Sequence, residues 1–229
     1  MRIAVFGTGT VGRALAGALA ERGHEVTVGT RDPGATAART GPDGMGRPPF
    51  SEWQARHADV GLADFAGAAA AAELVVNATS GAGSLPALGA AGAARLAGKV
   101  LVDVSNPLDS SQGMPPVLNP VNTDSLAERI QRGFPEARVV KTLNTMNAAL
   151  MVDPGHLAGG DHSVFLSGDD AAAKDTVREL LESFGHRDII DLGDITSARG
   201  AEMWLPLWLR LYGVLGTADF NIKVVRGVE

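Results

Sequence analysis

At 229 residues, 45% of them hydrophobic and 20% charged, the chain has the balance of a folded globular protein and enough length for one generous domain or one domain with a small appendage. A formal net charge of −6 argues against nucleic acid as a partner, because neutralising phosphates requires a basic face. There is no cysteine, which excludes disulfides, thiolate catalysis and cysteine-ligated metals.

Ile3-Ala4-Val5-Phe6 is a short apolar run that fits a strand buried on both faces. Beyond the glycines that follow, Val11, Leu15, Ala18 and Leu19 recur at helical spacing, and Gly23 is a natural helix stop. Residues 24–28 alternate polar and apolar and predict a second strand, broken by Asp32-Pro33-Gly34. Residues 33–49 offer no clear period. Ser51 is a candidate cap for a short helix reaching His57, residues 60–62 form a short third strand, and the alanine-rich 66–72 favours helix. Leu74-Val75-Val76 predicts a strand, 85–96 a helix and 99–104 another strand. Residues 126–131 read as helix and 138–143 as strand. Strands alternating with helices, joined by crossovers too long for hairpins, imply a doubly wound parallel sheet.

A second passage follows. Val164-Phe165-Leu166 is a strand, and Asp169-Asp170 caps a helix with Val177, Leu180, Leu181 and Phe184 on one face. Gly185 ends that helix, and Asp188-Ile189-Ile190 is a last strand. Residues 197–212 are helical in composition and apolar nearly all round, so they should pack against something; Pro206 should kink that helix or sit in its first turn. The apolar run 203–215 carries Arg210 and is too short to span a bilayer, and the N-terminus lacks the apolar stretch of a signal peptide. The expectation is a cytoplasmic protein with no membrane partner.

Gly7-Thr8-Gly9-Thr10-Val11-Gly12 matches Gly-x-Gly-x-x-Gly. With 29 glycines in the chain the pattern alone decides nothing, but here it follows a buried strand and opens an amphipathic helix. In the Rossmann dinucleotide fold Gly7 would permit the tight turn, Gly9 the approach of backbone N–H groups to a pyrophosphate, and Gly12 the packing of helix on strand. Thr8, Thr10 and Val11 complete that loop at a helix N-terminus that favours anions. An NAD site places a carboxylate at the end of the second strand, about 20 residues on. Thr30 stands there instead, followed by Arg31, a planar cation suited to a 2′-phosphate, so the expected cofactor is NADP. Asp32 is a rival for the ribose but more naturally starts the turn. Ligands sit at the carboxyl ends of parallel strands, which adds Ala78, Thr79, Asn106 and Asn144 to the expected cofactor-binding residues.

Acid–base machinery is not evident. The five histidines show no metal spacing and no metal site is expected. His162, at a strand start, suggests a surface or capping role, and Asp103, inside a strand, a buried and paired structural carboxylate. Lys141 also lies in a strand, and no Gly-x-Ser-x-Gly elbow exists. Catalytic residues are left unassigned. Direct hydride transfer needs only positioning, which fits that silence.

The N-terminal 12 residues, together with Gly23-His24-Glu25-Val26-Thr27-Val28-Gly29-Thr30-Arg31, resemble the NADP oxidoreductases that use a deazaflavin, coenzyme F420. The likeness continues through Leu143-Asn144-Thr145-Met146-Asn147-Ala148-Ala149, Gly168-Asp169-Asp170, Leu205-Pro206-Leu207 and Asn221-Ile222-Lys223. It implies that the segment from Thr8 to Val11 binds pyrophosphate, that Thr30 and Arg31 bind the 2′-phosphate, and that Ala148 lies near the nicotinamide. The chain departs from the family at Asn144 and Asn147, often histidine and proline there, and in the loop Asn77-Ala78-Thr79-Ser80-Gly81. Those positions border the deazaflavin face.

The expected fold is α/β, a Rossmann-type doubly wound, mostly parallel sheet extended by a strand-helix-strand, with a C-terminal helical segment. Residues 1–193 would form the extended NADP-binding domain, and 194–229 a segment that closes the cleft or makes a homodimer contact. The expected function is hydride transfer between NADP(H) and coenzyme F420 or a similar small molecule. The alternatives are an NADPH-dependent imine or carbonyl reductase and a non-catalytic NADPH-binding sensor. An open, apolar-walled slot beside the nicotinamide would favour the first, a small pocket with one acid the second, and a filled cleft the third.

Overall fold

The computed structural model describes residues 1–42 and 46–227, so positions 43–45 of the patternless stretch 33–49 lie outside the described residues. Strand β1 (Arg2–Phe6) leads through the glycine loop into α1 (Thr10–Glu21), which buries Leu15, Ala18 and Leu19 as the helical spacing requires. Strand β2 (Glu25–Thr30) lies beside β1. Asp32 does break it, but as a helix start: its Oδ1 accepts from Ala35 N–H at 2.8 Å, and α2 (Pro33–Ala38) follows with proline in its first turn. Next comes α3 (Phe50–Ala55), whose N-cap is Pro49 rather than Ser51; the Ser51 hydroxyl donates to the Arg39 carbonyl.

Strand β3 (Gly61–Asp64), helix α4 (Phe65–Ala71) and strand β4 (Leu74–Asn77) match the expected order. The helix expected over 85–96 starts earlier and is split. Helix α5 (Gly81–Ala91) and α6 (Ala93–Leu96) are separated by Gly92, whose φ of +90° lies outside the helical region. After β5 (Val100–Asp103), the unassigned stretch holds a short antiparallel ladder of β6 (Leu108–Asp109) and β7 (Val117–Leu118). Then follow α7 (Leu126–Gly133), β8 (Arg138–Thr142) and α8 (Ala148–Val152). The unexpected α8 is capped by Asn147, whose Oδ1 accepts from the N–H groups of Ala149 and Leu150.

Strand β9 (Ser163–Ser167), α9 (Ala171–Phe184) and β10 (Asp188–Asp191) form the extension. Asp170 caps α9 while Asp169 accepts from Ile195 N–H, so the two aspartates divide their work. The chain ends with α10 (Ala198–Met203) and α11 (Leu205–Leu215), with Pro206 in the first turn of α11.

The eight-stranded sheet runs β3-β2-β1-β4-β5-β8-β9-β10. Its pairings are parallel except that of β8 with β9. Alternation along each strand feeds two cores. Ile3, Val5, Val76 and Val102 face α1 and α9, while Ala4, Phe6, Val75 and Leu101 face α4 to α7. Burial on both faces explains why the strands are apolar runs rather than amphipathic ones. Strand order reverses between β1 and β4, and open α/β sheets bind ligands beyond such a switch point.

The expectation of a surface or capping role for His162 is overturned. It is 4% exposed, with Nε2 3.1 Å from the Pro154 carbonyl and Nδ1 2.7 Å from Asn221 Nδ2, because the terminal segment around Ile222 crosses over the start of β9. The apolar tail divides in two: α10 and Leu205 are packed onto the body, but Leu207, Tyr212, Val214 and Leu215 of α11 are exposed in the single chain. Among the described residues no helix is long and apolar enough to cross a membrane, and no group of three metal-capable side chains occurs.

Candidate functional site

The glycine loop owes its shape to two close approaches. Gly7 has φ +122°, and a Cβ there would lie 2.5 Å from the Ala78 carbonyl oxygen at the end of β4. A Cβ on Gly12 would lie 2.1 Å from the Gly7 carbonyl oxygen. These glycines let β1, α1 and the loop after β4 meet. Gly9 is different. Its φ of −78° and ψ of −172° suit any residue, and the nearest atom to its missing Cβ is Arg47 Nη1 at 4.0 Å. The fold does not require glycine at position 9; the bare backbone faces open space. Helix α1 begins there with no side-chain cap, so its first turn presents N–H groups and partial positive charge to that space.

The space is a cleft of about 680 Å³ at the switch point. Gly7, Thr8, Gly9, Thr10 and Val11 form its floor, Thr30 and Arg31 stand at the end of β2, and Ala78 and Thr79 form the opposite wall. Gly12 lies buried behind the loop. Thr30 Oγ1 is 3.1 Å from Thr36 Oγ1, which holds its side chain at the strand end. Arg31 is exposed and pairs with no described residue, while the Asp32 carboxylate is occupied as the α2 cap. Among the described residues, the Arg31 guanidinium marks this end of the cleft and no carboxylate lines it.

Three expected residues lie elsewhere. Asn106 and Asn144 hold each other across the ends of β5 and β8, Asn144 Nδ2 donating to Asn106 Oδ1 and Asn106 Nδ2 to the Asn144 carbonyl, both at 3.0 Å. Asn144 Nδ2 also donates to the Ala201 carbonyl of α10 at 3.0 Å. Ala148 opens α8. None of the three lines the 680 Å³ cleft. Sequence reasoning missed Arg47, Phe65 and the face of α5 formed by Ala82, Gly83, Pro86, Ala87 and Ala90, all of which line the cleft. Arg47 sits in a stretch without period, where no pattern could single it out.

Behind the Thr79 wall lies a buried polar chain. The Thr79 hydroxyl donates to Asn77 Oδ1 at 2.7 Å, and Asn77 Nδ2 donates to Asp103 Oδ1 at 2.8 Å. Lys141 Nζ meets Asp103 at 2.8 Å and Glu202 at 3.0 Å, and all three side chains are essentially inaccessible. Burial by itself pushes the Lys141 ammonium down, but the two carboxylates outweigh it and hold the group above the ordinary lysine value. Glu202 also accepts from the N–H groups of Leu126 and Ala127, satisfying the start of α7. The expected pairing of Asp103 is present, and its partner is Lys141. Linked to the Thr79 wall through Asn77, this triad ties α10 to the sheet and steadies the cleft wall.

A second hollow, of about 620 Å³, opens between the 115–121 segment beyond β5 and the face of α11. Its walls are Pro115, Pro116, Val117, Leu118, Val121, Pro206, Leu209 and Val214, with Arg210 as its one charged group. No acid lines it.

Comparison with known proteins agrees with the geometry. Residues 2–107 match the family model described as NADP oxidoreductase, coenzyme F420-dependent. The F420-dependent NADP reductase of Methanothermobacter marburgensis is 31% identical over 218 residues, which are 92% of each chain. The rat metalloreductase STEAP3 is also 31% identical, over 212 residues, but the chain spans only 38% of that protein's length. A crystal structure from Arthrobacter sp. FB24, provisionally named an F420-dependent NADP reductase, is 70% identical with a TM-score of 0.94, covering 99% of this chain and all of that one. The chain belongs to the coenzyme F420-dependent NADP oxidoreductase family of enzymes.

Proposed function

We propose that the protein transfers a hydride between NADP(H), held in the cleft at the β1/β4 switch point, and a deazaflavin of the coenzyme F420 type. The observation that carries the cofactor half is Gly9. A glycine that neither backbone angle nor packing demands, set at an uncapped helix N-terminus, keeps room for a phosphate to approach the main chain. The loop from Thr8 to Val11 then binds the pyrophosphate, and Thr30 and Arg31 take the 2′-phosphate. Ala78 and Thr79 bound the cofactor along β4. Asn106, Asn144 and Ala148 sit farther along the carboxyl edge of the sheet, toward the nicotinamide end.

Bound NADPH supplies a hydride from its nicotinamide ring. What this chain supplies is placement: a rigid floor, a fixed phosphate grip, and a second wall that excludes water from the acceptor. Among the described residues the slot against α11 is apolar and acid-free, which suits the flat face of a reducible ring. Residues 1–193 act as the NADP-binding domain. Residues 194–229 form the closing segment, and the exposed Leu207, Tyr212 and Leu215 serve a homodimer contact. The test is to mix the protein with NADPH and oxidised coenzyme F420 and follow loss of the deazaflavin's visible absorbance. Absence of turnover with NADPH binding intact would remove the deazaflavin from the proposal.

A further inference from the structure

Arg47 occupies a position that the cofactor reading leaves unexplained. Its Nη1 donates to Thr10 Oγ1 at 2.7 Å and lies 4.0 Å from where a Gly9 Cβ would be, so the guanidinium stands over the first residue of α1 on the cleft side. The guanidinium and the N–H groups that open α1 border the same cleft, so an anion lodged there would meet both.

Arg47 is also held there. Arg13, in the first turn of α1, donates from Nε to the Thr8 carbonyl at 2.8 Å and from Nη1 to the Pro48 carbonyl at 2.7 Å. Its guanidinium rests on the Phe50 ring, 5.6 Å from the centroid. One side chain thus ties the glycine loop to residue 48, next to Arg47. The end of β2 carries a different arginine, Arg31.

We infer that Arg47 is a second phosphate-binding residue of the cleft, that it serves the pyrophosphate rather than the 2′-phosphate, and that Arg13 is the positioning residue that holds it over the loop. The inference rests on the reading of the cleft as the NADP(H) site. Two arginines then divide the cofactor: Arg31 distinguishes NADP from NAD, and Arg47 grips the part common to both.

The test is calorimetric titration of wild type, Arg47→Ala and Arg31→Ala with NADPH, NADH and 2′-AMP, which carries the 2′-phosphate but no pyrophosphate. Arg47→Ala should weaken NADPH and NADH by the same factor, about tenfold for a lost charge-assisted contact, and leave 2′-AMP within about twofold. Arg31→Ala should weaken NADPH and 2′-AMP and spare NADH. Arg13→Ala should reproduce part of the Arg47→Ala loss, and the double variant should lose no more than Arg47→Ala alone, a non-additivity that an independent structural role for Arg13 would not produce. Unchanged NADPH and NADH affinity in Arg47→Ala would overturn the inference, as would a loss confined to NADPH and 2′-AMP. Failure of the wild type to bind any of the three would overturn the reading of the cleft and the inference with it.

Discussion

Replacing Gly9 with alanine separates binding from folding more cleanly than any other change in the loop. The backbone at position 9 lies in the ordinary extended region, and the new methyl group would meet nothing closer than Arg47 Nη1 at 4.0 Å. Two small terms oppose each other in the apoprotein. Alanine restricts the unfolded chain and gains about 0.4–1 kcal/mol, while glycine is the better N-cap residue and its loss costs about as much. Stability should therefore stay within about 1 kcal/mol of wild type, or about 2–4 °C in the unfolding midpoint. In the complex the methyl group occupies the cradle, where contact with a phosphate oxygen would force the anion away from the α1 N–H groups. Loss of one or two charge-assisted hydrogen bonds, each about 1.5–3 kcal/mol, predicts NADPH binding weaker by at least about tenfold. Gly12→Ala is the control, since its Cβ would sit 2.1 Å from the Gly7 carbonyl oxygen and must displace backbone; there the apoprotein itself should be destabilised by several kcal/mol. Thermal unfolding without ligand, paired with calorimetric titration of NADPH, reads both quantities. A Gly9→Ala protein that binds NADPH like wild type would refute the cradle, and one that fails to fold would refute the claim that the fold does not need this glycine.

Arg31→Ala should lose about 1–3 kcal/mol of NADPH affinity with unchanged NADH affinity and unchanged stability, because no described residue depends on that side chain; equal losses for both cofactors would show that it does not read the 2′-phosphate. Lys141→Met strands the Asp103 and Glu202 carboxylates in the interior and should cost about 3–5 kcal/mol in denaturant unfolding, whereas a cost below about 1 kcal/mol would mean that the triad does not hold α10 to the sheet. Burial pushes His186 down to about 4, below its ordinary value of 6.5, against the raising effect of its bond to the Met151 carbonyl. The unfolded chain therefore takes up this proton first as pH falls. Its contribution, about 3 kcal/mol at most, is complete above pH 6.5 and lost progressively down to about pH 4. Unfolding midpoints across that window should fall less steeply in His186→Gln; identical slopes would contradict the assignment.

The order of strands and helices was legible because both sheet faces are covered, which forces each strand into an apolar run and each helix into an apolar stripe. The cofactor floor was legible for a related reason: Gly7, Gly12 and the Thr30-Arg31 pair are local signals at fixed distances from a strand end. What escaped is non-local. Arg47 meets the cleft through Thr10, beside residue 48 that Arg13 bonds from α1, and no periodicity marks it. Asn106 and Asn144 have the polar character of cleft residues, yet their side chains are engaged with one another and with Ala201. His162 reads as a surface residue until the distant Asn221 covers it. Helix α8 depends on a cap, Asn147, that lies within the run Asn144-Thr145-Met146-Asn147, where composition suggests a loop.

The most direct measurement is transfer of isotope. With NADPH deuterated at the transferring position of the nicotinamide and oxidised coenzyme F420 as acceptor, single-turnover product should carry the deuterium on the deazaflavin ring, with one of the two C4 positions used and no label lost to water. Deuterium released to solvent, or NADPH oxidation without a labelled deazaflavin, would contradict direct hydride transfer between two molecules held by this protein.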